Sequence, residues 1–229
     1  MNLILLFDDD FIDDRRVRLS GRRREHVLNV HRAAVGDALA VGVANRKIGR
    51  GVVTSLDPLE LDVTLHRDPP PPLDVTLLLA LPRPKVFNRV IASATSMGVK
   101  RIVLMNAWRV EKSYWKSPRL SEENLMLQRV LGLEQARDTM LPTIELQRFF
   151  RPFVESLRID GLALVAHPGA VDECPRDVLA PVTLAIGPEG GFIEEELASL
   201  ERAGFRAVSI GERILRVETA VAALLARLA

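Results

Sequence analysis

The sequence predicts an α/β protein with a parallel sheet, preceded by a small β-rich domain. Three observations carry this reading. Residues 69–72 are four consecutive prolines, which lack amide donors and favour an extended connector. Before them, short β-type runs alternate with turn residues. After them, apolar strand-like runs alternate with helical patterns to the end of the chain.

The prolines divide the chain into domains 1–70 and 71–229. In the first, residues 38–43, 51–56 and 61–65 read as strands. Gly36-Asp37, Ala44-Asn45 and Asp57-Pro58 separate them, which suggests a barrel with a short helix over 25–33. In the second, 75–81 is a continuous apolar run, as in a buried parallel strand. Residues 84–97 read as a helix with Val86, Val90, Ile91 and Ala94 on one face and Gly98 just past its end. A strand over 101–105 follows, then a helix over 121–137 with Ser121 as N-cap and Glu122 and Glu123 in its first turn. Further strands are expected at 143–146, 162–166, 182–186 and 207–210, and helices at 193–203 and 218–228.

Composition excludes some classes. The 229 residues carry a formal net charge of +1, so global charge gives no argument for a nucleic-acid partner. Locally, residues 15–50 hold ten Lys/Arg against two acids, an excess of +8. That segment is either a phosphate-binding surface or a solvated face balanced by Asp8, Asp9, Asp10, Asp13 and Asp14. Cys174 stands alone, so no intramolecular disulfide can form. The apolar start runs straight into Asp8 without a basic leader, and no apolar run approaches the ~20 residues of a membrane span. A soluble, cytoplasmic protein is expected.

Ligands of open parallel sheets collect beyond the carboxyl ends of the strands. Three sharp breaks fall there: His167-Pro168-Gly169, Gly187-Pro188-Glu189-Gly190-Gly191 and Gly211-Glu212-Arg213-Ile214-Leu215-Arg216. Each alone is an ordinary turn; together they favour a site. No Walker phosphate loop, dinucleotide fingerprint, serine elbow or metal-binding His/Cys spacing occurs. A ligand held largely by backbone groups remains, and a nucleoside such as that of S-adenosylmethionine would suit.

Here a resemblance becomes specific. IGPEGGF (186–192) followed by IGERILRVETA (210–220) resembles the paired signature of the bacterial 16S rRNA uridine-N3 methyltransferases, the ribosomal small subunit methyltransferase E family of the knotted SPOUT superfamily. EHVLNVHRAAVGDAL (25–39), LPRPKVFNRVIASATSMGVKRI (81–102) and EQARDTMLP (134–142) are similar to supporting blocks of that family. The resemblance implies a PUA-like β-barrel for RNA, then a SPOUT domain with a deep trefoil knot, in a homodimer whose site lies near the interface. It implies S-adenosylmethionine as cofactor and 16S rRNA of the small ribosomal subunit as partner, with no metal. The cofactor residues would be Ala166 and His167 from the first loop, and Ile186, Gly187, Pro188, Glu189, Gly190 and Gly191 from the second. The third loop and last helix would add Ile210, Gly211, Ile214, Leu215, Arg216, Thr219 and Ala220. RNA would meet Arg15, Arg22, Arg23, Arg24, His26, Arg32, Lys85 and Arg213.

Methyl transfer to N3 requires loss of its proton or stabilisation of charge on the flanking carbonyls. Arg109 and Arg137 are candidates for the second role. Glu189 could act as a base; its favoured reading is a brace that fixes the loop. Trp108, Tyr114 and Trp115, interleaved with Arg109, Lys112, Lys116 and Arg119, suit either an RNA-binding loop or packing against a partner subunit. Alternatives are a ribose 2′-O methyltransferase and a non-catalytic RNA-binding module. Departures from the family pattern are Ile193 in place of a capping Ser or Thr, Met97 in place of a glutamate, and the position of Arg137 two residues after Gln135.

Overall fold

A computed structural model of the chain describes residues 2–229. The described residues divide into two compact units, those up to residue 71 with 130–141 and residues 72–129 with 142–229.

The first unit is a five-stranded sheet in the order β1-β3-β4-β5-β2. Strands β3 (Ala38–Val43), β4 (Ile48–Leu56) and β5 (Leu59–Arg67) form an antiparallel meander. β1 (Ile4–Leu6) joins β3 in parallel and β2 (Arg16–Arg18) joins β5 antiparallel. Periodicity had not marked β1 and β2, since three residues are too few to carry a pattern. Ile4, Leu6, Val17, Val41, Val53, Leu59 and Leu61 fill the core. The helix expected over 25–33 begins earlier: α1 (Gly21–Glu25) opens into a π-helical turn over His26–His31. Arg32 ends that turn in the left-handed conformation at φ 52°, while Val27 stays buried.

Residues 130–141 group with this unit, not with residues 71–229 as the proline boundary suggested. Hydrogen bonds give the reason. The buried Glu134 carboxylate accepts the Leu5 N–H at 3.3 Å and an Arg22 N–H at 2.8 Å. Burial pushes its pKa up, against the pull of Arg22 and the Leu5 amide. Asn45 donates its backbone N–H to the Thr139 carbonyl at 2.8 Å and accepts the Leu141 N–H on its side chain at 2.9 Å.

The second unit is a six-stranded sheet in the order β11-β9-β10-β6-β7-β8, every pairing parallel. Its strands are β6 (Leu73–Ala80), β7 (Val99–Met105), β8 (Thr143–Gln147), β9 (Leu162–Ala166), β10 (Val182–Ile186) and β11 (Arg206–Val208). The chain first walks from β6 to β8. It then crosses to the other side of β6, laying β10 between β6 and β9. Leu77, Leu79, Ile102, Leu104, Leu164, Leu184 and Ala185 are fully buried, which explains their unbroken apolar runs.

Helices α2 (Pro84–Ser96), α3 (Glu122–Ala136), α5 (Glu194–Arg202) and α6 (Val217–Leu228) lie within a residue or two of their expected bounds. Ser121 Oγ accepts the Asn124 N–H at 3.3 Å, as an N-cap should. α4 (Phe150–Ser156) was not foreseen. β11 stops short of residue 210 because Ser209 changes partner, from β9 to a parallel bridge with Glu173: its N–H donates to the Asp172 carbonyl at 2.9 Å and its carbonyl accepts the Cys174 N–H at 2.7 Å.

Candidate active site

The three glycine- or proline-broken loops leave the carboxyl ends of β9, β10 and β11, the three strands at one side of the parallel sheet. Together they line one cavity of about 860 Å³, the size of a small-molecule site. β10 supplies its central wall.

That wall is built from backbone. The Gly191 N–H donates to the Pro188 carbonyl at 2.7 Å and closes a tight turn. A Cβ on Gly187 would lie 3.0 Å from the Phe192 nitrogen, and one on Gly190 would lie 2.9 Å from Cδ of Arg109. Glycine at both positions lets the chain fold on itself and lets Arg109 cross the loop. The Arg109 guanidinium donates to the Gly190 carbonyl. Glu189 reaches away from β10 and accepts the Arg83 N–H at 3.0 Å, joining this loop to the start of α2.

Glu196 fixes the other end. Ile193 has no side-chain acceptor, so half of a capping box forms: Glu196 Oε2 accepts the Ile193 N–H at 3.1 Å. Its Oε1 accepts the Trp108 N–H at 2.7 Å. Glu196 as a whole is only 7% exposed. Glu194 and Glu195 add charge at the helix start.

This arrangement belongs to a known class. A family model described as an RNA methyltransferase domain matches residues 69–229. The chain belongs to the RNA methyltransferase domain family. Among similar proteins, the ribosomal RNA small subunit methyltransferase E of Treponema pallidum is 32% identical over 159 residues, covering 64% of this chain and 58% of that relative. The enzyme of that name from Mycobacterium tuberculosis is 28% identical, covering 98% of this chain and 90% of its own length. The chain thus spans less than two thirds of the Treponema relative and most of the mycobacterial one. A small subunit methyltransferase E from Neisseria gonorrhoeae, solved bound to S-adenosyl methionine, superposes with a TM-score of 0.78 at 22% identity, covering 99% of this chain and 95% of that one. A probable rRNA-methyltransferase from Porphyromonas gingivalis gives 0.72 at 23% identity, covering 97% and 95%. At these identities the two structures support the fold.

Within this RNA methyltransferase domain, most residues singled out from sequence meet. Ala166 and His167, the run from Ile186 to Gly191, and Ile210, Gly211, Ile214, Leu215, Arg216 and Ala220 line the cavity. Thr219 does not; it lies one step around α6 from Ala220. Arg213, expected to face RNA, lines the cavity instead. Arg83 and Val86 also line it and were missed. Their signal was the end of β6, a fourth strand terminus at the same sheet edge. Arg109 lines the cavity, whereas Arg137 sits exposed in the first unit at φ 56° and is absent from the lining. Lys85 is exposed in the first turn of α2 and outside the lining.

The arginine-rich segment is largely neutralised. Arg15, Arg16, Arg18, Arg22, Arg24 and Arg46 pair with Asp62, Asp13, Glu60, Glu134, Asp57 and Asp8. Arg23 clamps both oxygens of Asp10 at 2.6 Å and is half-buried, which makes it a structural anchor. His26 stacks edge-on to His31 with ring centroids 4.9 Å apart, and burial pushes its pKa down. Arg32, Lys47 and Arg50 are exposed and make no ion pair among the described residues.

The described residues contain no group of three or more His, Cys, Asp or Glu that could hold a metal ion, and no helix long and apolar enough to cross a membrane.

Proposed function

We propose that this chain methylates N3 of a uridine in 16S rRNA of the small ribosomal subunit, using S-adenosylmethionine. The observation that carries this reading is the convergence of the loops after β9, β10 and β11 on one cavity, in a chain matched by an RNA methyltransferase model over 69–229. The names of its relatives support the small-subunit target.

The residues fit the cofactor. The 860 Å³ cavity accommodates a nucleoside joined to an amino acid. Gly187 and Gly190 leave peptide groups, not side chains, at the wall, as recognition of an adenine edge and ribose requires. Ile186, Ile210 and Leu215 supply apolar surface, with His167, Pro188, Gly191, Gly211, Ile214, Arg216 and Ala220 completing the pocket. When bound, S-adenosylmethionine supplies a methyl group activated by its sulfonium. The chain's own contribution is alignment and charge. Arg109, held across Gly190 with further N–H donors in reserve, would stabilise charge on the uracil oxygens as N3 gives its proton to solvent water and so becomes the nucleophile for the methyl group. Glu189 serves as a brace through the Arg83 amide. Arg137, outside this lining, has no comparable support.

The same reading extends to a PUA-like barrel in residues 1–70, a trefoil-knotted SPOUT domain in 71–229, a homodimer and a cytoplasmic site of action. The passage of β10 between β6 and β9 is compatible with a threaded chain. Arg32, exposed and unpaired among the described residues, and Lys85 are the better supported RNA contacts of the sequence set.

The test is methyl transfer to small subunits from cells lacking the enzyme. N3-methyluridine in digested 16S rRNA, with a reverse-transcription stop at one position, is the expected result. A ribose-methylated nucleoside, or no transfer, would sink the proposal.

A further inference from the structure

The sequence groups Trp108, Tyr114 and Trp115, but the structure separates them. Trp115 is committed: its indole N–H donates to Asn106 Oδ1 at 2.9 Å and the Arg148 guanidinium lies 5.3 Å from its ring centroid. Tyr114 is half-buried and donates to Glu111 at 3.2 Å. Trp108 is 79% exposed.

That exposure does not come from a loose loop. Residues 107–110 form a turn closed by the Val110 N–H on the Ala107 carbonyl at 3.0 Å, and Ala107 and Val110 are both buried. The Trp108 N–H is held by Glu196 at 2.7 Å, and the Arg109 side chain is held by the Gly190 carbonyl. The backbone is therefore pinned on both sides of an indole that remains in water. Its neighbour Arg109 lines the cavity. Across 108–119 stand four cations, Arg109, Lys112, Lys116 and Arg119, against one acid, Glu111.

We propose that Trp108 is a stacking platform for an unpaired nucleobase of the RNA substrate. A rigid exposed indole presents a π face to a base at little further entropic cost, and the surrounding cations suit a phosphate backbone. The ends of β7 and β8 are joined by the Asn106 N–H donating to the Gln147 carbonyl at 2.8 Å, and Phe149, two residues past that bond, is 74% exposed. The proposal rests on the RNA methyltransferase reading and names one contact of its substrate.

The experiment compares the full-length chain with W108A, W108L and W108F. Affinity for a single-stranded fragment of small-subunit rRNA is read by fluorescence anisotropy, KM for small subunits by methyl transfer, and folding by S-adenosylmethionine titration. W108A and W108L should each weaken RNA affinity and raise KM by roughly five- to tenfold, towards the low end of what one stacked base contributes. W108F should recover most of the loss, and cofactor affinity should stay within about twofold because no indole atom lines the cavity. Unchanged RNA affinity in W108A overturns the proposal. So does W108L performing as wild type, since apolar area alone would then suffice. A change in sedimentation from dimer to monomer in W108A assigns the indole to a second copy of the chain and also overturns it. Failure of the wild type to methylate small subunits counts against the proposed function instead, and the anisotropy arm still decides the stacking contact.

Discussion

The buried carboxylate of Glu196 accepts the backbone N–H of Trp108 at 2.7 Å, across 88 residues of chain. Through this bond the first turn of α5 holds the turn that carries Arg109. Removing the acceptor leaves the Trp108 and Ile193 amides without it, a loss of about 1–3 kcal/mol. E196A should therefore lower the urea midpoint and weaken S-adenosylmethionine binding together. E196Q keeps one carbonyl oxygen and should fall between. Calorimetric titration and urea melts check both.

Glu189 gives a sharper contrast. Its Oε1 accepts the Arg83 N–H at 3.0 Å, a task glutamine can also perform. E189Q should retain kcat within about threefold, because general acid–base catalysis is worth ~100-fold or more and none is lost. E189A should loosen the loop and raise the cofactor Kd. A hundredfold fall in kcat for E189Q would instead make Glu189 a base.

Arg109 should behave differently. R109A removes the donor to Gly190 and the charge beside the cavity. A fall in kcat of roughly 100-fold is expected, in line with the loss of one charge-stabilising donor. R109K should stay well below wild type, since lysine lacks the guanidinium fork. R137A should keep most of its kcat, and single-turnover rates on small subunits distinguish the two arginines.

Close packing of the glycine loop predicts a steric effect. Ala at Gly187 would place its Cβ 3.0 Å from backbone, with no flexible atom able to retreat. G187A should cost about 1–3 kcal/mol of stability and more than tenfold in cofactor affinity. Ala at Gly190 meets the Arg109 side chain, which can shift, so G190A should bind the cofactor better than G187A.

Acid stability has a predictable contributor. The Asp13 carboxyl is held at about 2, below the ordinary 3.8, by the N–H groups of Arg15 and Arg16 and by the Arg16 guanidinium. A depressed folded pKa means that the native state binds fewer protons between pH 3.8 and about 2. Its stabilisation is complete above that window and is lost as pH falls through it. The difference in urea midpoint between wild type and D13N should be largest near neutrality and shrink as pH falls towards about 2, the lower edge of that window. A carbon NMR titration of Asp13 checks the pKa itself.

Much of the architecture is legible because its signals are local. Continuous apolar runs mark β6, β9 and β10, a 3.6-residue stripe marks α2, and Gly187, Gly190 and Gly191 mark a turn where β10 ends. The three loops at the carboxyl ends of their strands follow from parallel topology. The sequence by itself thus determines the alternation of elements, the sheet edge that carries the site and most of the cavity lining. What it could not determine depends on residues far apart in the chain. Strand order, with β10 between β6 and β9, is a property of pairing and not of any one strand. The placement of residues 130–141 in the first unit hangs on Glu134 meeting Leu5 and Arg22. Whether an arginine is free or neutralised depends on a partner such as Asp62 for Arg15 or Asp10 for Arg23. Trp108 and Trp115 look alike in sequence, yet a hydrogen bond to Asn106 engages one while the Glu196 anchor leaves the other in water. Periodicity reports which face of an element is apolar; only the folded chain decides which polar groups find each other.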